Sequence, residues 1–426
     1  MAAGRAPSEA ATGQKRPLKV LLLQGPVGPF FRQLHKRLVA RGDIAKRITF
    51  NAADALFARS ADCTRFSGNE ADWDLWLHLE LSQNRPDVIV LFGSNRPAHR
   101  IARRVAGMLD VPVISLEEGY LRSGFITCES GGNNQSSPMV HWVPHRPVEL
   151  VGAERPAPAA ASFPSMSVWG TIYYLVRDLL SDPSADALFH RPRERGLVLA
   201  ATWAVHMLRR AMARIVEAPQ RRRLKDDSGY ILVPLQVPSD SQLTVAARGW
   251  TSERLIDACL SALLHSGSGQ TLVIKLHPLD RGGAALRRTI RRRARNLGLS
   301  DRVVVLHAGR IGELASRAAG MIVINSTSAF SALHCGVPVL VLGDAVFRHE
   351  DVVTPGVSET DVATFFKVRQ AKSRDIINAF LADLKANSLI PGDFYAAAGI
   401  KIAVGGVMAK ITAEAAIARR MTGAAE

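Results

Sequence analysis

The stretch Val111–Arg122, VPVISLEEGYLR, runs from an apolar segment straight into two adjacent carboxylates and a glycine. A short continuous apolar run that ends in turn residues reads as a strand covered on both faces, as in a parallel sheet. Groups that do chemistry in open α/β sheets lie just past the carboxyl ends of such strands. Glu117, Glu118 and Gly119 occupy that position, in a chain whose formal charge is +16. They are the first candidates for a site.

Upstream, KVLLLQ is a short apolar run, followed by the glycine-rich GPVGPF and by a segment with Phe31, Leu34 and Leu38 on one helical face. RITFN reads as a second strand, residues 72–81 as a helix, PDVIVLFG as a buried strand and HRIARRVAGMLD as a helix. This β-α alternation predicts a parallel sheet with helices on its faces. Downstream, residues 145–228 break the rhythm with prolines, aromatics and arginine clusters, and they read as a helical insert or connection. A second α/β unit follows, with strands at YILVPLQV, TLVIKLH, VVVLH, MIVIN and PVLVLG separated by helical segments. The expected organisation is a disordered tail (1–17), a first Rossmann-like domain (18–144), the insert (145–228), a second Rossmann-like domain (229–350) and C-terminal helices (351–426). Two such domains facing a central cleft are the general plan of a GT-B glycosyltransferase, and also of several other two-domain enzymes.

Composition narrows the class. The 426 residues are 47% hydrophobic and 22% charged, suited to two domains each with a core. Four scattered cysteines without a C-x-x-C pair argue against a disulfide framework or a zinc site. The opening lacks the apolar segment of a secretory signal, and the longest uncharged window, residues 156–176, is broken by Pro158 and Pro164. The expectation is therefore a cytoplasmic protein without a membrane span. The positive excess favours phosphate-bearing partners: nucleotides, nucleic acid or an anionic lipid surface. Aromatic residues at 6% and the lack of any RRM, KH or helix-turn-helix pattern rank nucleic acid last.

Two further motifs fall at strand exits, His277-Pro278 in IKLHP and Asn325-Ser326-Thr327-Ser328 in VINSTS. Proline suits the first position of a helix, whose N-terminus attracts phosphate. Lys275 lies two residues before His277, on the same side of an extended strand. Ser326 and Thr327 offer hydroxyls for a second phosphate contact. Each motif alone reads more readily as a cap, a satisfied buried histidine or, for the acidic pair, a solvated turn; the three together, at successive strand ends, favour a site. The glycine loop around Gly25 and Gly28 is a poor dinucleotide fingerprint, because its prolines remove amide donors. It either lines the cleft or is a tight turn. Gln236, Asp240 and Ser241 in VPLQVPSDSQL are further candidates, with Asn51 and Asp54 weaker ones. Arg287–Gly298 reads as a solvated helix, and Arg191–Lys225 as either an interfacial helix or a connecting helix between domains.

The stretches LLLQGPVGPFFRQLHKRL, ITFNAAD, LEEGYLR, VPLQVPSDSQL, IKLHP and INSTSAFSALHCGVPVLVLG span most of residues 18–345. Together they resemble the capsule polysaccharide biosynthesis family of KpsS/LipB type, the bacterial β-Kdo transferases that begin the lipid-linked linker of group 2 capsules. A more distant similarity joins the motifs to GT-B sialyltransferases that use a CMP-activated sugar acid. The resemblance implies a retaining transferase moving Kdo from CMP-Kdo to a phosphatidylglycerol-type lipid, with no cofactor and no metal. It implies Glu118 as the catalytic carboxylate, base or nucleophile, with Glu117 orienting it or the acceptor. It places His277, Lys275 and Pro278 at the CMP phosphate, with Asn325, Ser326, Thr327 and Gln236 gripping the nucleotide sugar. Gly25, Gly28, Arg122, Asp240 and Ser241 line the cleft on the acceptor side. The partners it implies are the cytoplasmic face of the inner membrane, the other capsule-assembly Kdo transferase and the capsule ABC exporter. Two other readings stay open: a non-enzymatic subunit of the assembly and export machinery, and a transferase for another CMP-activated ulosonic acid. SGF after EEGYLR, the arginine-rich insert and the alanine-rich tail depart from the family pattern and bear on acceptor identity.

Overall fold

The computed structural model describes residues 16–59, 62–121, 124–145, 162–181, 188, 196–226, 229–237, 241–267 and 269–421; of residues 162, 196–204, 206, 225, 226, 241 and 242 it describes the backbone alone. The first unit runs β1 (Lys19–Leu22), α1 (Phe30–Ala40), β2 (Ile44–Thr49), α2 (Ala52–Phe57), β3 (Asp62–Arg65), α3 (Glu70–Gln83), β4 (Val88–Phe92), α4 (Pro97–Met108), β5 (Val113–Glu118) and β6 (Phe125–Ser130). Three helices connect the halves: α5 (Ser162–Leu180), α6 (Gly196–Val216) and α7 (Ala218–Asp226). The second unit runs β7 (Ile231–Pro234), α8 (Ser241–Val245), α9 (Ser252–His265), β8 (Leu272–Lys275), α10 (Gly283–Asn296), β9 (Val303–Leu306), α11 (Ile311–Ala315), β10 (Gly320–Val323), α12 (Ala329–Cys335), β11 (Val339–Val341) and β12 (Thr354–Pro355). The chain closes with α13 (Glu359–Lys367), α14 (Arg374–Ser388), β13 (Leu389–Pro391) and α15 (Ala397–Met421).

Two Rossmann-like sheets result, in the GT-B-like plan expected from the alternation. The first has the order β13-β6-β5-β4-β1-β2-β3 and the second β12-β11-β10-β7-β8-β9. All pairings in the second sheet are parallel. The first has a parallel core with an antiparallel edge, where β5 pairs with β6 and β6 with β13. Gly119 explains that edge. A Cβ there would lie 2.2 Å from the Phe125 carbonyl oxygen, so only glycine lets the chain double back directly after Glu118 instead of entering a crossover helix.

Alternation along the strands sends side chains into two layers of core on either side of each sheet. In the first, Ile114 and Leu116 pack with α1 and α15, while Val113 packs with α3 and α4. Residues 351–426, read from sequence as C-terminal helices, also supply β12 to the second sheet and β13 to the first. α15 then lies along α1. Phe394 at its start wedges edge-on between Phe30 and Phe92, ring centroids 4.9 and 5.1 Å away.

The helical insert holds both units. Tyr173 of α5 donates its hydroxyl to Asp54 Oδ1 (2.8 Å) beside the first sheet, and Glu217, between α6 and α7, accepts the His307 and Ala308 amides (2.9 and 2.8 Å) beside the second. The halves also touch directly: Tyr120 packs on Phe330 with ring centroids 5.8 Å apart, and Asn134 Oδ1 accepts the Val346 amide (3.1 Å). Among the described residues no helix is long and apolar enough to cross a membrane. All four cysteines are free.

Candidate active site

In a doubly wound sheet the strands either side of the first one leave in opposite directions, and the opening between their exits receives ligand. In the first sheet that switch point lies between β1 and β4, where Gln24 and Gly25 face the segment Ser94–Arg96. In the second it lies between β7 and β10, which are followed two residues on by Gln236 and by Asn325-Ser326. The contact of Tyr120, two residues beyond β5, with Phe330, three beyond Thr327, joins the exit of β5 to the exit of β10. β8, with His277 at its exit, is two strands from β10, about 10 Å at ordinary strand spacing. The exits of β5 and β10 thus meet through Tyr120 and Phe330, and His277 leaves the second sheet two strands from β10.

Glu117 and Glu118 are the last two residues of β5 rather than a turn after it, and consecutive strand residues point to opposite faces. Both are half-buried. Glu118 shares its face with Ile114 and Leu116, where Tyr395 reaches it: the phenol donates to Glu118 Oε1 at 2.5 Å. Burial, then the Glu118 charge, pushes the Tyr395 hydroxyl well above its usual range, so it remains a donor. Asp393 sets this geometry by accepting the Tyr395 and Ala396 amides (2.6 and 2.7 Å) at the start of α15. Glu117 Oε1 sits 3.4 Å from the Glu118 amide, at the outer limit of a hydrogen bond.

Behind the acids lies a fully internal carboxylate. Glu129 of β6 accepts from Tyr120 (2.8 Å), Asn133 (3.1 Å), Ser388 (2.7 Å) and, in a short contact, Ser137. Burial pushes its carboxyl up and the four donors pull it back. This network fixes the hairpin after Glu118 to α14 and to the segment Asn133–Ser137.

His277 stands where the motif predicted, but Pro278 does not open a helix. α10 begins at Gly283; before it, Leu279 donates its amide to His277 Nδ1 (3.1 Å) and Asp280 Oδ1 accepts the Gly282 amide (2.9 Å). These side-chain bonds close a turn that competes successfully with helix. Because Nδ1 is an acceptor, the neutral ring carries its proton on Nε2. Lys275 is only 5% exposed and donates to the carbonyls of Leu276 (2.8 Å) and His307 (3.1 Å). Burial lowers its ammonium to about 8. It braces the exits of β8 and β9 from behind. Ser326 Oγ accepts the Ser328 amide (3.3 Å), and α12 opens directly after, at Ala329. Gln236 is half-buried two residues past β7. Gly28 has φ +106°, and a Cβ would meet the Trp169 ring at 2.9 Å, so the turn reading holds for it and α5 covers it. Gly25 packs against the Phe31 ring. Ser241 opens α8; Arg122 and Asp240 lie outside the described residues. Asn51 and Asp54 are buried in internal bonds: Asn51 caps α2 and donates to Tyr173, while Asp54, pushed up by burial, accepts from Tyr173, Gln24 and the Phe50 amide.

Other residues belong to the site without having stood out in the sequence. Arg96, after β4, donates to Gln24 Oε1 (2.8 Å), with its guanidinium 5.0 Å from the Phe92 ring centroid. Nearby, Asn95 Nδ2, Asn133 Oδ1 and Gln135 Oε1 are buried without a hydrogen-bond partner, an arrangement that costs free energy and concentrates where ligands bind. The only hint had been polar runs, SNRP and GGNNQSS, directly beyond strands. Among the described residues no group of three or more His, Cys, Asp or Glu is placed to hold a metal ion.

His99 of α4 is fully buried, bonded through Nδ1 to the Gly93 carbonyl (3.0 Å), and burial with Arg96 nearby lowers it to about 3. Folded protein therefore binds fewer protons here than unfolded protein, whose histidine titrates near 6.5. Stability is full above about pH 6.5 and falls as the pH drops, by about 1.4 kcal/mol per unit until the folded value is reached. Denaturant midpoints at pH 7 and 4.5 should differ by less in His99→Gln than in the parent chain; equal differences would refute the assignment.

The chain matches the family described as "Capsule polysaccharide biosynthesis protein" over residues 87–395. It is 31% identical over 391 residues to the capsule polysaccharide modification protein LipB of Neisseria meningitidis serogroup A, covering 88% of this chain and 91% of that one. It is 30% identical over 342 residues to the capsule polysaccharide export protein KpsS of Escherichia coli, covering 77% and 85%. Among solved structures, KpsC of Thermosulfurimonas dismutans, a beta Kdo 2,7 transferase, aligns with 85% of this chain and 89% of its own at 13% identity and a TM-score of 0.40, a likeness too remote to bear on chemistry. The match runs through both sheets and over most of the sequence: the chain belongs to the capsule polysaccharide biosynthesis family.

Proposed function

We propose that the protein is a retaining glycosyltransferase that moves Kdo from CMP-Kdo to a phosphatidylglycerol-type lipid, peripherally at the cytoplasmic face of the inner membrane. The observation that carries this reading is the contact of Tyr120 with Phe330, which brings the exit of β5, where Tyr395 braces Glu118, against the helix that follows β10. Cleavage of a CMP-linked keto-sugar passes through an oxocarbenium-like state, which needs a carboxylate at the anomeric carbon and donors at the departing phosphate. Glu118 is that carboxylate, as nucleophile or as base. His277 Nε2–H and the Ser326 and Thr327 hydroxyls are the donors, and Lys275 is a positioning residue behind the imidazole. Arg96 meets the sugar carboxylate, and Asn95 Nδ2, Asn133 Oδ1 and Gln135 Oε1 meet sugar hydroxyls. The bond from the anomeric carbon to the phosphate oxygen breaks and CMP leaves with the electron pair. As nucleophile, Glu118 takes its place and is displaced in turn by the acceptor oxygen, whose proton passes to a carboxylate. As base, Glu118 takes that proton while the acceptor oxygen enters from the face that CMP leaves.

The test is the mass of the product from purified protein, CMP-Kdo and a fluorescent phosphatidylglycerol analogue. One added Kdo is the expected result. Several would indicate a polymerising enzyme, and no transfer with any CMP-activated ulosonic acid would leave the non-enzymatic subunit as the better reading.

A further inference from the structure

Away from the acids, a cavity of about 350 Å³ opens between α6 and α10. Its charged lining is Arg209 from α6, Asp280 and Arg281 from the turn after β8, Arg287 and Arg288 from α10, and His307 after β9. Arg287 is paired with the buried Glu217, and the Asp280 carboxylate accepts the Gly282 amide. The N-terminus of the 14-residue α10, with no side-chain cap, points its partial positive charge the same way. The cavity is built for an anion.

Its rim is apolar. On α6, Val205, Leu208, Met212 and Ile215 follow helical spacing along one face and are exposed, Ile215 by 77%. Met212 and Val216 belong both to this exposed surface and to the cavity wall. α5 packs beside α6 and leaves Leu179 exposed by 75%, with Leu175 and Leu180 near it. α6 carries Arg209, Arg210 and Arg214 and no acid anywhere along it. A soluble surface does not ordinarily hold so many neighbouring apolar side chains. Apolar residues interleaved with arginine are the composition of a helix lying in a bilayer interface, its apolar groups among acyl chains and its cations on phosphates.

We propose that the α5–α6 face docks on an anionic bilayer and that the cavity between α6 and α10 seats the phosphate of one lipid headgroup. Leu276 and Asp280 in the cavity wall flank the His277–Leu279 turn. A lipid held there has its headgroup next to the imidazole assigned to the donor phosphate, a placement that rests on the transferase reading and specifies where its acceptor enters. Charge complementarity selects the lipid, since the same face offers cations and an apolar rim and a bilayer supplies partners for both.

The experiment uses the full chain and co-sedimentation with phosphatidylcholine vesicles, with and without phosphatidylglycerol. The parent protein should pellet only with the anionic vesicles. Arg209→Glu/Arg288→Glu changes two exposed side chains and should keep its thermal midpoint while losing at least about ten-fold in partitioning; Leu208→Ser/Ile215→Ser should weaken binding to the same vesicles. Unchanged partitioning of the arginine variant overturns the proposal. So does equal pelleting of the parent protein with pure phosphatidylcholine vesicles, because the anionic headgroup would then play no part in docking. Sugar transfer to a detergent-dispersed phosphatidylglycerol analogue is measured separately: its absence, with arginine-dependent vesicle binding intact, would end the transferase reading and leave the lipid site standing.

Discussion

Glu118→Gln is expected to lower sugar transfer by at least about 10²-fold, the usual scale for a carboxylate acting as base or nucleophile, while CMP affinity stays within error of the parent. The amide keeps the size of the side chain and still accepts from Tyr395, so the hairpin after β5 has no reason to move. What is lost is the negative charge at the anomeric carbon. A variant that retained more than about a tenth of the rate would remove Glu118 from the reaction. Tyr395→Phe separates the positioning contact from the carboxylate itself. Without the 2.5 Å phenol bond the carboxylate is no longer held in place, so kcat should fall by less than in Glu118→Gln while CMP affinity stays that of the parent. A loss as large as that of Glu118→Gln would mean that the phenol does more than position the carboxylate.

Glu129→Ala should have the largest effect on stability. Four donors, from Tyr120, Asn133, Ser137 and Ser388, converge on this one internal carboxylate, and truncation removes the acceptor of three buried hydroxyls, while Asn133 keeps the Ser115 carbonyl. The expected cost is about 3–5 kcal/mol, read as a lower midpoint in guanidinium denaturation. Glu129→Gln, which keeps one acceptor oxygen and the shape, should cost less. The same bonds hold Tyr120 against Phe330, so the glutamine variant should also transfer sugar more slowly than the parent, with its CMP affinity unchanged. If alanine at 129 cost no more than a surface substitution, the network would not be what holds the acidic turn to the second sheet.

Much of the architecture is local and was therefore readable in advance. Apolar runs such as VIVLF and LVIK can satisfy their side chains only inside a sheet, and the amphipathic spacing of FFRQLHKRLVA only as a helix across it. The alternation of the two led to two doubly wound sheets, and their exits held EEG, HP and NSTS. β3 (DCTR) and β12 (TP) escaped because they carry no apolar pattern and exist only by pairing with a neighbour. Pro278 misled for a related reason: proline favours a helix start, but the His277 and Asp280 side chains bind the local amides first and delay the helix to Gly283.

Residue types and their positions along strands were thus enough to name Glu118, His277 and Ser326 as one candidate set. Which groups touch them was decided by the folded chain alone. Tyr395 reaches Glu118 from 277 residues away, after β13 has joined the first sheet and Phe394 has locked between Phe30 and Phe92. Lys275 turns to backbone carbonyls, and arginines of α6 and α10, far apart in sequence, line one cavity. Hydrophobic periodicity is written in neighbouring residues because burial acts on each element separately. A hydrogen bond or an electrostatic pocket between distant segments depends on ångström-scale distances, and these exist only after both cores have packed.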